Sequence, residues 1–592
     1  MDRPNDPFLA SSVGLNTGDS ESPLGWGDEP EPPMDKSSSK QTSPRKAKPS
    51  WQMDLPVSKD GLRGLAHSAR YVPLRTPDGQ RGAVYEDTPH ARTLIARLNT
   101  HHPMSKDRLF LAPRNQIQAM WAQGLKERLT SFALTHLINR QPGMSAKQTL
   151  VRSQAIALVL FGLVFVAWGV VQTHSLLLLF NAAFAFFYLS VGLIRVMAVL
   201  TPLPNAARYR TLKHRTSDDA LPPYSVLVPI YDEAAMVPHL IAAMTALDYP
   251  ADKLDILILA EADDASTLET LNAQPLPDHI AVIAVPPSQP RTKPKALNFA
   301  LPLTRGTYVT IYDAEDRPEP DQLRKAVAAF DASKKDTAPI GCVQAALNIT
   351  NGSANFITRH FELEYMALFD AFLPALSRMK LPIPLGGTSN HFPRAALLHA
   401  GGWDPYNVTE DADLGVRLAR LGYTTKTIAS TTFEEAPVRF KPWLKQRARW
   451  FKGWWQTWLV HMRHPLRLFG ELGFKGFTAF QTIMLGVLIS VLIHPFFLVS
   501  TLAVLGGFAG SLYQQGSGQA LLAVNMANFA LGYLAAAALG VVGAERRGVH
   551  GILPALLTIP IYWVCLSLAG FLALWELIRR PHHWNKTPHG ES

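Results

Sequence analysis

Two groups of acidic residues each stand directly after an apolar run that reads as a strand. LDILILA leads into Glu261, Asp263 and Asp264, and YVTIY leads into Asp313, Glu315 and Asp316. Carboxylates at a strand end can act as turn formers or helix caps. Asp313-Ala314-Glu315-Asp316 asks for more, because acids packed so closely repel one another unless a cation or solvent relieves them. A hard divalent ion, Mg2+ or Mn2+, suits such a cluster and commonly keeps waters and substrate phosphates among its oxygen ligands. A third acidic group, Glu410, Asp411 and Asp413, opens the helically spaced GVRLARLG, where carboxylates also favour a helix N-terminus. No G-x-x-x-x-G-K-[ST] or G-x-G-x-x-G motif accompanies these acids, which weakens P-loop and dinucleotide readings.

A second chemistry-bearing stretch is PWLKQRARWFKGWWQTW (442–458). Trp450, Trp454 and Trp458 recur at i+4, and Trp443 lies seven residues before Trp450, so the four share a helical face. Lys445, Arg447 and Lys452 add charge around it. The pattern predicts an interfacial helix with aromatic tips at headgroup depth. An arginine here can hold phosphate oxygens bidentately, and a tryptophan offers a flat apolar face to a sugar ring.

The elements that must position these groups alternate between strand and helix. YSVLVP, LDILILA, HIAVIAV and YVTIY read as strands; MVPHLIAAMTAL and KALNFALPL read as helices. Such alternation predicts a mostly parallel sheet with ligands at the carboxyl ends of its strands. Around this block the chain is strongly apolar. Five uncharged stretches, at about 155–171, 175–194, 476–508, 519–544 and 549–575, approach or exceed the ~20 residues needed to cross a bilayer. The polar block between the second and third runs from 201 to 475. Arg208, Arg210, Lys213 and Arg215 place its start on the cytoplasmic side by the positive-inside rule. Five crossings would then put the cationic tail, with Arg579, Arg580 and Lys586, on the far side. One stretch is therefore expected to be something other than a single crossing, either 476–508, interrupted at His494-Pro495, or 549–575, with Pro554 and Pro560.

The remaining composition excludes several classes. The chain has 592 residues, enough for three or more structural units, and a net charge of +10. That charge alone does not choose among nucleic acid, anionic lipid and phosphorylated substrates. Two cysteines, Cys342 and Cys565, exclude a disulfide framework and a four-thiolate zinc site. The N-terminus lacks a secretory signal pattern. Residues 1–50 hold eight Pro and nine Ser, a composition that predicts disorder. ARTLIARLNT and IQAMWAQGLKERLTSFALTHLI have helical spacing and suggest a small helical domain over 71–150. LFLAPRNQIQAMW within it resembles the N-terminal domain of type II secretion ATPases, without their nucleotide-binding motifs.

Taken in order, VPIYDE (228–233), EADD (261–264), TKPKALN (292–298), YDAED (312–316), GGTSNHF (386–392), TEDADL (409–414) and QRARW (446–450) resemble the membrane-embedded family-2 glycosyltransferases, relatives of cellulose, curdlan and hyaluronan synthases. The resemblance covers about 220–590. It implies an α/β GT-A-type glycosyltransferase domain inserted between transmembrane helices. On that basis Tyr231, Glu233, Asp263, Asp264, Lys295 and Asp313 are expected at the nucleotide sugar, with Lys293 as a second basic candidate. Asp313, Glu315 and Asp316 are expected at the metal. Asp411 matches the catalytic base, with Glu410 and Asp413 as secondary acids and His391 as a minor alternative. Thr388, Ser389, Gln446, Arg449 and Trp450 are expected at the acceptor and diphosphate. The chain departs from the family in spacing EADD away from its strand and in carrying Asp-Ala-Glu for D-x-D.

The expected organisation is a disordered segment (1–70), the helical domain (71–150), two transmembrane helices (151–200) and the transferase domain (201–440). An amphipathic interfacial region (441–475), C-terminal transmembrane helices (476–578) and a cytoplasmic tail (579–592) follow. The resemblance implies an inverting enzyme of the bacterial inner membrane that uses a nucleotide-diphosphate sugar, UDP-linked in first place, to extend an exported β-linked polysaccharide. The alternatives are a glycolipid synthase adding one sugar to a lipid, and a non-catalytic membrane subunit. Membrane lipids and export or regulatory subunits are the further partners expected, and nucleic acid is not. Tyr533, Tyr562, Trp563 and His494 are positions that would line a path between the membrane helices or pack the bundle. HWNKTPHG (583–590) resembles a C-terminal motif of some relatives and has no evident physical role.

Overall fold

The computed structural model describes residues 109–203, 216–507 and 516–584, with short pieces before them at 52–53, 71–75, 81–86, 92 and 96. The disordered segment expected before 52, the cations at 208–215 and Lys586 lie outside the described residues.

The first pieces form a four-stranded sheet of β1 (Gln52–Met53), β2 (Tyr71–Arg75), β3 (Arg81–Tyr85) and β4 (Leu109–Leu111), followed by helices α1 (Arg114–Gly124) and α2 (Lys126–Arg140). The expectation of a separate, purely helical domain is therefore corrected. YVPLR and RGAVY pair as antiparallel strands. Val72, Leu74, Ile117, Trp121 and Leu129 belong to the same buried cluster as Leu257, Ile283 and Leu297 of the main sheet. Gln118 donates to Asp255 of that sheet, and Asn298 Nδ2 donates to Ala133 O at 3.2 Å.

Helices α3 (Arg152–Val171) and α4 (Thr173–Leu200) follow. No residue of α3 is buried, and Val166, Val170 and Val171 are among its exposed large hydrophobics. An isolated helix with this surface suits lipid, where its backbone groups are satisfied internally.

The central domain is an eight-stranded mixed sheet in the order β7-β6-β5-β8-β11-β10-β12-β9. Its strands are β5 (Tyr224–Ile230), β6 (Leu254–Glu261), β7 (Ile280–Val285), β8 (Tyr308–Ile311), β9 (Arg317–Pro318), β10 (Ile340–Ile349), β11 (Asn390–Pro393) and β12 (Thr424–Glu434). β5, β6, β7 and β8 are parallel neighbours, and every residue of β6 is buried. Covering by helices on both faces explains why LDILILA is continuously apolar. The helices that matter to the site are α5 (Val237–Thr245), α6 (Ala265–Asn272), α7 (Lys293–Ala300), α8 (Gln322–Ala332), α9 (Phe356–Tyr365), α10 (Glu410–Arg420) and α11 (Phe440–His461).

Beyond it run α12 (Pro465–Phe480), α13 (Val487–Leu505), α14 (Ser517–Arg547) and α15 (Ile559–Arg579). Five helical segments of the described chain are long and apolar enough to cross a membrane: 152–171, 173–200, 465–505, 518–547 and 559–579. Both ends of the last meet groups of the central domain or of its neighbouring helices. Thr558 Oγ1 lies 3.1 Å from His360 Nε2, and Tyr562 Oη donates to Glu364 at 2.8 Å. At the far end Glu576 pairs with Lys452 of α11 at 2.7 Å, and His582 Nδ1 donates to Tyr406 O at 2.9 Å. One face of α15, with Ile561, Leu568, Trp575 and Ile578, is exposed, while Tyr562, Leu566, Ala569 and Ala573 are buried. A helix apolar on its outer face and packed along α11 has the form of an interfacial helix.

In oriented vesicles, an impermeant maleimide should label His583→Cys and an exposed site of the central domain from one face. Gly507→Cys, at the end of α13, should label from the other. Labelling of 583 and 507 from the same face would return α15 to a crossing.

Candidate active site

The carboxyl ends of β5, β6 and β8 open into a cleft of about 560 Å³ whose opposite wall is α11. Tyr231, Glu233, Asp313, Glu315, Thr388, Asp411, Gln446, Arg449 and Trp450 all line it. These come from segments far apart in the chain, brought together by the parallel strands and by the close approach of α11 to α10. That approach needs Gly453, where a Cβ would collide with the Thr409 side chain.

At one end, Arg291 lies 5.2 Å over the Tyr231 ring, donates to its hydroxyl at 2.9 Å and forms an ion pair with Asp263. Asp263 thus stands on the rim, outside the cleft lining. Asp264 is corrected to a structural role: it accepts from Thr267 N at 3.2 Å to cap α6 and from Asp232 N at 2.5 Å. That second bond fixes the turn after β5, in which Asp232 has φ 51°. Lys295 is also corrected. It is fully buried, bonded to both Glu261 oxygens (2.7 and 2.8 Å) and to Pro286 O, so its charge is spent inside the fold. Lys293, at the start of α7, takes the cleft position instead. It pairs with Asp313 and donates to Gly387 O at 2.8 Å. Burial alone would lower its pKa, but Asp313 and Glu410 outweigh that and hold it above the ordinary lysine value.

Asp313 and Glu315 reach the cleft from a turn that Asp316 closes. Asp316 Oδ2 accepts from Asp313 N at 2.7 Å and from the Thr388 hydroxyl, so Asp316 shapes the turn and does not line the cleft. Its other oxygen is buried without a hydrogen-bond partner. Burial, then repulsion from Asp313, pushes both Glu315 and Asp316 well above the carboxylate range. Mutually repelling acids on one wall fit a cation, and Asp313 and Glu315 are the side chains placed to hold one. Among the described residues no three His, Cys, Asp or Glu side chains are grouped to bind a metal unaided. Two carboxylates leave the remaining positions to diphosphate oxygens and water, as Mg2+ usually requires.

Asp411 lies in the first turn of α10, where it accepts from Ala412 N at 2.7 Å. Its Oδ2 comes so near Gly387 that a Cβ there would sit 3.3 Å away. Burial raises its pKa, opposed by the Ala412 amide, Lys293 and Arg449. Glu410 beside it is pushed up to about 8 by burial and by Asp411. Asp413 faces away, paired with Arg417 (2.7 Å) and His461 (3.0 Å) in the core. Ser389 is buried on Thr432 at 2.6 Å, and His391 sits between Tyr224 (2.7 Å) and Gln322 (3.2 Å), its pKa lowered to about 3 by burial. Neither lines the cleft.

Part of the aromatic face of α11 packs against protein, with Trp443 buried and Trp450, Trp454 and Trp458 half-buried. Trp443 is fully buried 5.4 Å from the Tyr562 ring, Trp450 stacks on Tyr365 at 6.5 Å, and Trp458 Nε1 donates to Gln481 at 2.9 Å. Two parts of the wall escaped the sequence reading. Glu434, at the end of β12, is pushed up to about 7, chiefly by burial. The tail residues His582, His583 and Trp584 also line the cleft, with Arg449 4.6 Å over the Trp584 ring. Acids following a strand were the available signal for Glu434; for the tail it was the unassigned HWNKTPHG.

Residues 222–453 match the family described as Glycosyltransferase like family 2. Over these residues the chain is similar to that family. The β-monoglucosyldiacylglycerol synthase of Synechocystis is 30% identical over 259 residues, covering 42% of this chain and 52% of that one. YdaM of Bacillus subtilis, described as a probable glycosyltransferase, is 29% identical over 248 residues, 41% of this chain and 57% of its own. A protein of Arabidopsis thaliana described as a probable glucomannan 4-beta-mannosyltransferase is 26% identical over 243 residues, 40% and 43% of the two chains. The chain thus spans about half the length of the curated relatives it matches. Among solved structures, the mannosyltransferase PcManGT of Pyrobaculum calidifontis, in complex with GDP-Man and Mn2+, aligns with 67% of this chain and 99% of its own at 20% identity and a TM-score of 0.40.

Glu261→Ala leaves Lys295 buried and unpaired, a change that costs about 3–5 kcal/mol. It should lower the thermal midpoint markedly, whereas Lys293→Ala should leave the midpoint nearly unchanged and weaken nucleotide-sugar binding in calorimetry.

Proposed function

We propose that this chain is an inverting glycosyltransferase of the bacterial plasma membrane that moves a sugar from a nucleotide diphosphate, UDP in first place, onto an acceptor hydroxyl. The observation that carries the proposal is the convergence of Asp313, Glu315, Asp411, Gln446, Arg449 and Trp450 on one cleft. Tyr231, with Arg291 packed over it, offers a flat ledge for the nucleobase. Asp313 and Glu315 would hold Mg2+ or Mn2+, which neutralises the leaving diphosphate when bound. Lys293 and Arg449 supply fixed positive charge on either side.

In the transfer itself Asp411 accepts the proton of the acceptor hydroxyl. The acceptor oxygen forms its bond to the anomeric carbon as the bond from that carbon to the diphosphate oxygen breaks. The nucleoside diphosphate leaves with that electron pair, so displacement from the opposite face converts an α-linked donor into a β-linked product. A general base must come within hydrogen-bond reach of its proton. The Gly386-Gly387 backbone leaves room for this beside Asp411, and Trp450 provides the apolar face for the acceptor. Arg546 and Arg547, at the domain end of α14, support a cytoplasmic position for the catalytic domain; Arg547 pairs with Asp370 there.

A growing β-linked polysaccharide is the acceptor expected from the sequence. The second reading, a lipid acceptor, is favoured by an apolar cavity that adjoins the cleft. The relatives named above include both a glycolipid synthase and a mannosyltransferase of a polysaccharide.

Asp411→Asn should lower transfer by about 10²–10⁴-fold while leaving donor affinity nearly intact, measured by radiolabelled transfer and by donor titration. Retained turnover would remove Asp411 as the base. Glu315→Ala should weaken Mn2+-dependent donor binding, and an unchanged metal response would shift that role to Asp313 alone.

A further inference from the structure

Next to the catalytic cleft lies a second cavity of about 290 Å³, enclosed by α4, α9, α11, α13, α14 and α15. The two share a wall: Tyr365, Leu368, Pro384, Trp450 and Trp454 line both. From this continuity we infer that the second cavity receives the hydrocarbon chain of a lipid acceptor whose hydroxyl is presented to Asp411 across the Trp450–Trp454 partition. The inference rests on the transferase reading above and specifies its acceptor.

The chemistry of the lining selects a hydrocarbon over a glycan. Most of the cavity surface comes from aliphatic and aromatic side chains. Several of its polar groups are paired; Arg195 lies 5.2 Å over the Trp563 ring, and Arg447 Nε is buried without a hydrogen-bond partner. Tyr188 Oη and His494 Nδ1 lie 3.4 Å apart, Ser490 Oγ donates to Gly486 O at 2.7 Å, and Tyr562 Oη donates to Glu364 at 2.8 Å. Glu364 is also paired with Arg447 at 2.6 Å, and His360 is bonded on both ring nitrogens, to Phe356 O at 2.8 Å and Thr558 at 3.1 Å. A polysaccharide threaded here would leave hydroxyls unmatched, each at a cost of about 1–3 kcal/mol. A methylene chain meets no such penalty and gains by leaving water. The volume, near the lower end of small-molecule sites (~300–1,000 Å³), suits part of one chain better than a whole lipid.

The test uses the full chain in lipid nanodiscs. Ala536→Phe and Val487→Trp each add bulk from a different wall, and neither residue touches the catalytic cleft. The acceptors are diacylglycerols and polyprenols of short and long chain, with a water-soluble β-linked oligosaccharide as the competing acceptor. Wild type should form an organic-extractable product, with an apparent KM at least about tenfold lower for long than for short chains. Both variants should flatten this dependence while donor hydrolysis and donor KM stay within about twofold. The diacylglycerol and polyprenol arms tell which lipid alcohol is used. A diacylglycerol carrying a diazirine at mid-chain should label the α13 and α14 peptides of wild type and lose that labelling in Ala536→Phe. An unchanged chain-length profile in both variants, labelling that residue-level mapping confines to the outward side chains Leu534 and Phe571, or sugar transfer to the oligosaccharide alone would each overturn the proposal. Failure of wild type to bind or hydrolyse any nucleotide sugar would instead overturn the transferase reading itself.

Discussion

The arrangement depends on one electrostatic constraint: more carboxylates face the cleft than its own cations can neutralise. Glu233, Asp313, Glu315, Glu410, Asp411 and Glu434 all line it, against Lys293, Arg291 and Arg449. Burial, reinforced by repulsion from neighbouring acids, raises the pKa values of Glu315, Glu410 and Glu434. Lys293 is the pivot of this balance. Its ammonium joins Asp313 to the Gly387 carbonyl, and so ties the β8 turn to the glycine loop beside Asp411. A divalent ion brought with the diphosphate would meet Asp313 and Glu315 and relieve part of that excess.

Charges elsewhere in the domain behave in the opposite way. Glu261–Lys295 and the Asp413–Arg417–His461 group are closed pairs, buried, with their hydrogen-bonding capacity directed at each other. Breaking a buried pair is costly because the survivor stays desolvated. Their role is therefore to lock geometry: Glu261 holds the end of β6 against α7, which carries Lys293, and Asp413 holds the far side of α10, which carries Asp411. Residues adjacent in sequence are thus divided between frame and chemistry, Lys295 from Lys293 and Asp413 from Asp411.

That division marks the boundary of what could be read from the chain alone. The apolar strands, the acids at their ends and the helix of 440–461 were legible, because period and composition report burial directly. Whether a given acid or lysine turns inward was not, since Asp313 and Asp316 sit in one short turn and differ only in which hydrogen bonds the turn leaves them. Asp264 illustrates the same limit: its carboxylate is taken by two backbone amides, one of them across the sheet at Asp232. The N-terminal strands were missed because each is only five residues or fewer and finds its core in another unit. The tryptophans of α11 fall on one helix that packs partly against protein, with Trp443 buried. Periodicity identifies an apolar face and does not say whether lipid or protein covers it.

The orientation of α15 links these observations. At ~1.5 Å per residue, its 21 residues span roughly 32 Å, about the thickness of a hydrocarbon core. Stood upright, it would carry His582, His583 and Trp584 to the opposite face. Lying along α11, it returns them to the cleft, where Lys452 donates to His583 O at 2.8 Å, Gln456 to Pro581 O at 3.0 Å, and Trp584 packs on Arg449. The same placement closes one side of the apolar cavity through Ile559, Tyr562, Trp563 and Leu566. One interfacial helix thus completes both chambers, and the Trp450–Trp454 partition it leans against is the boundary at which a polar donor and an apolar acceptor can meet.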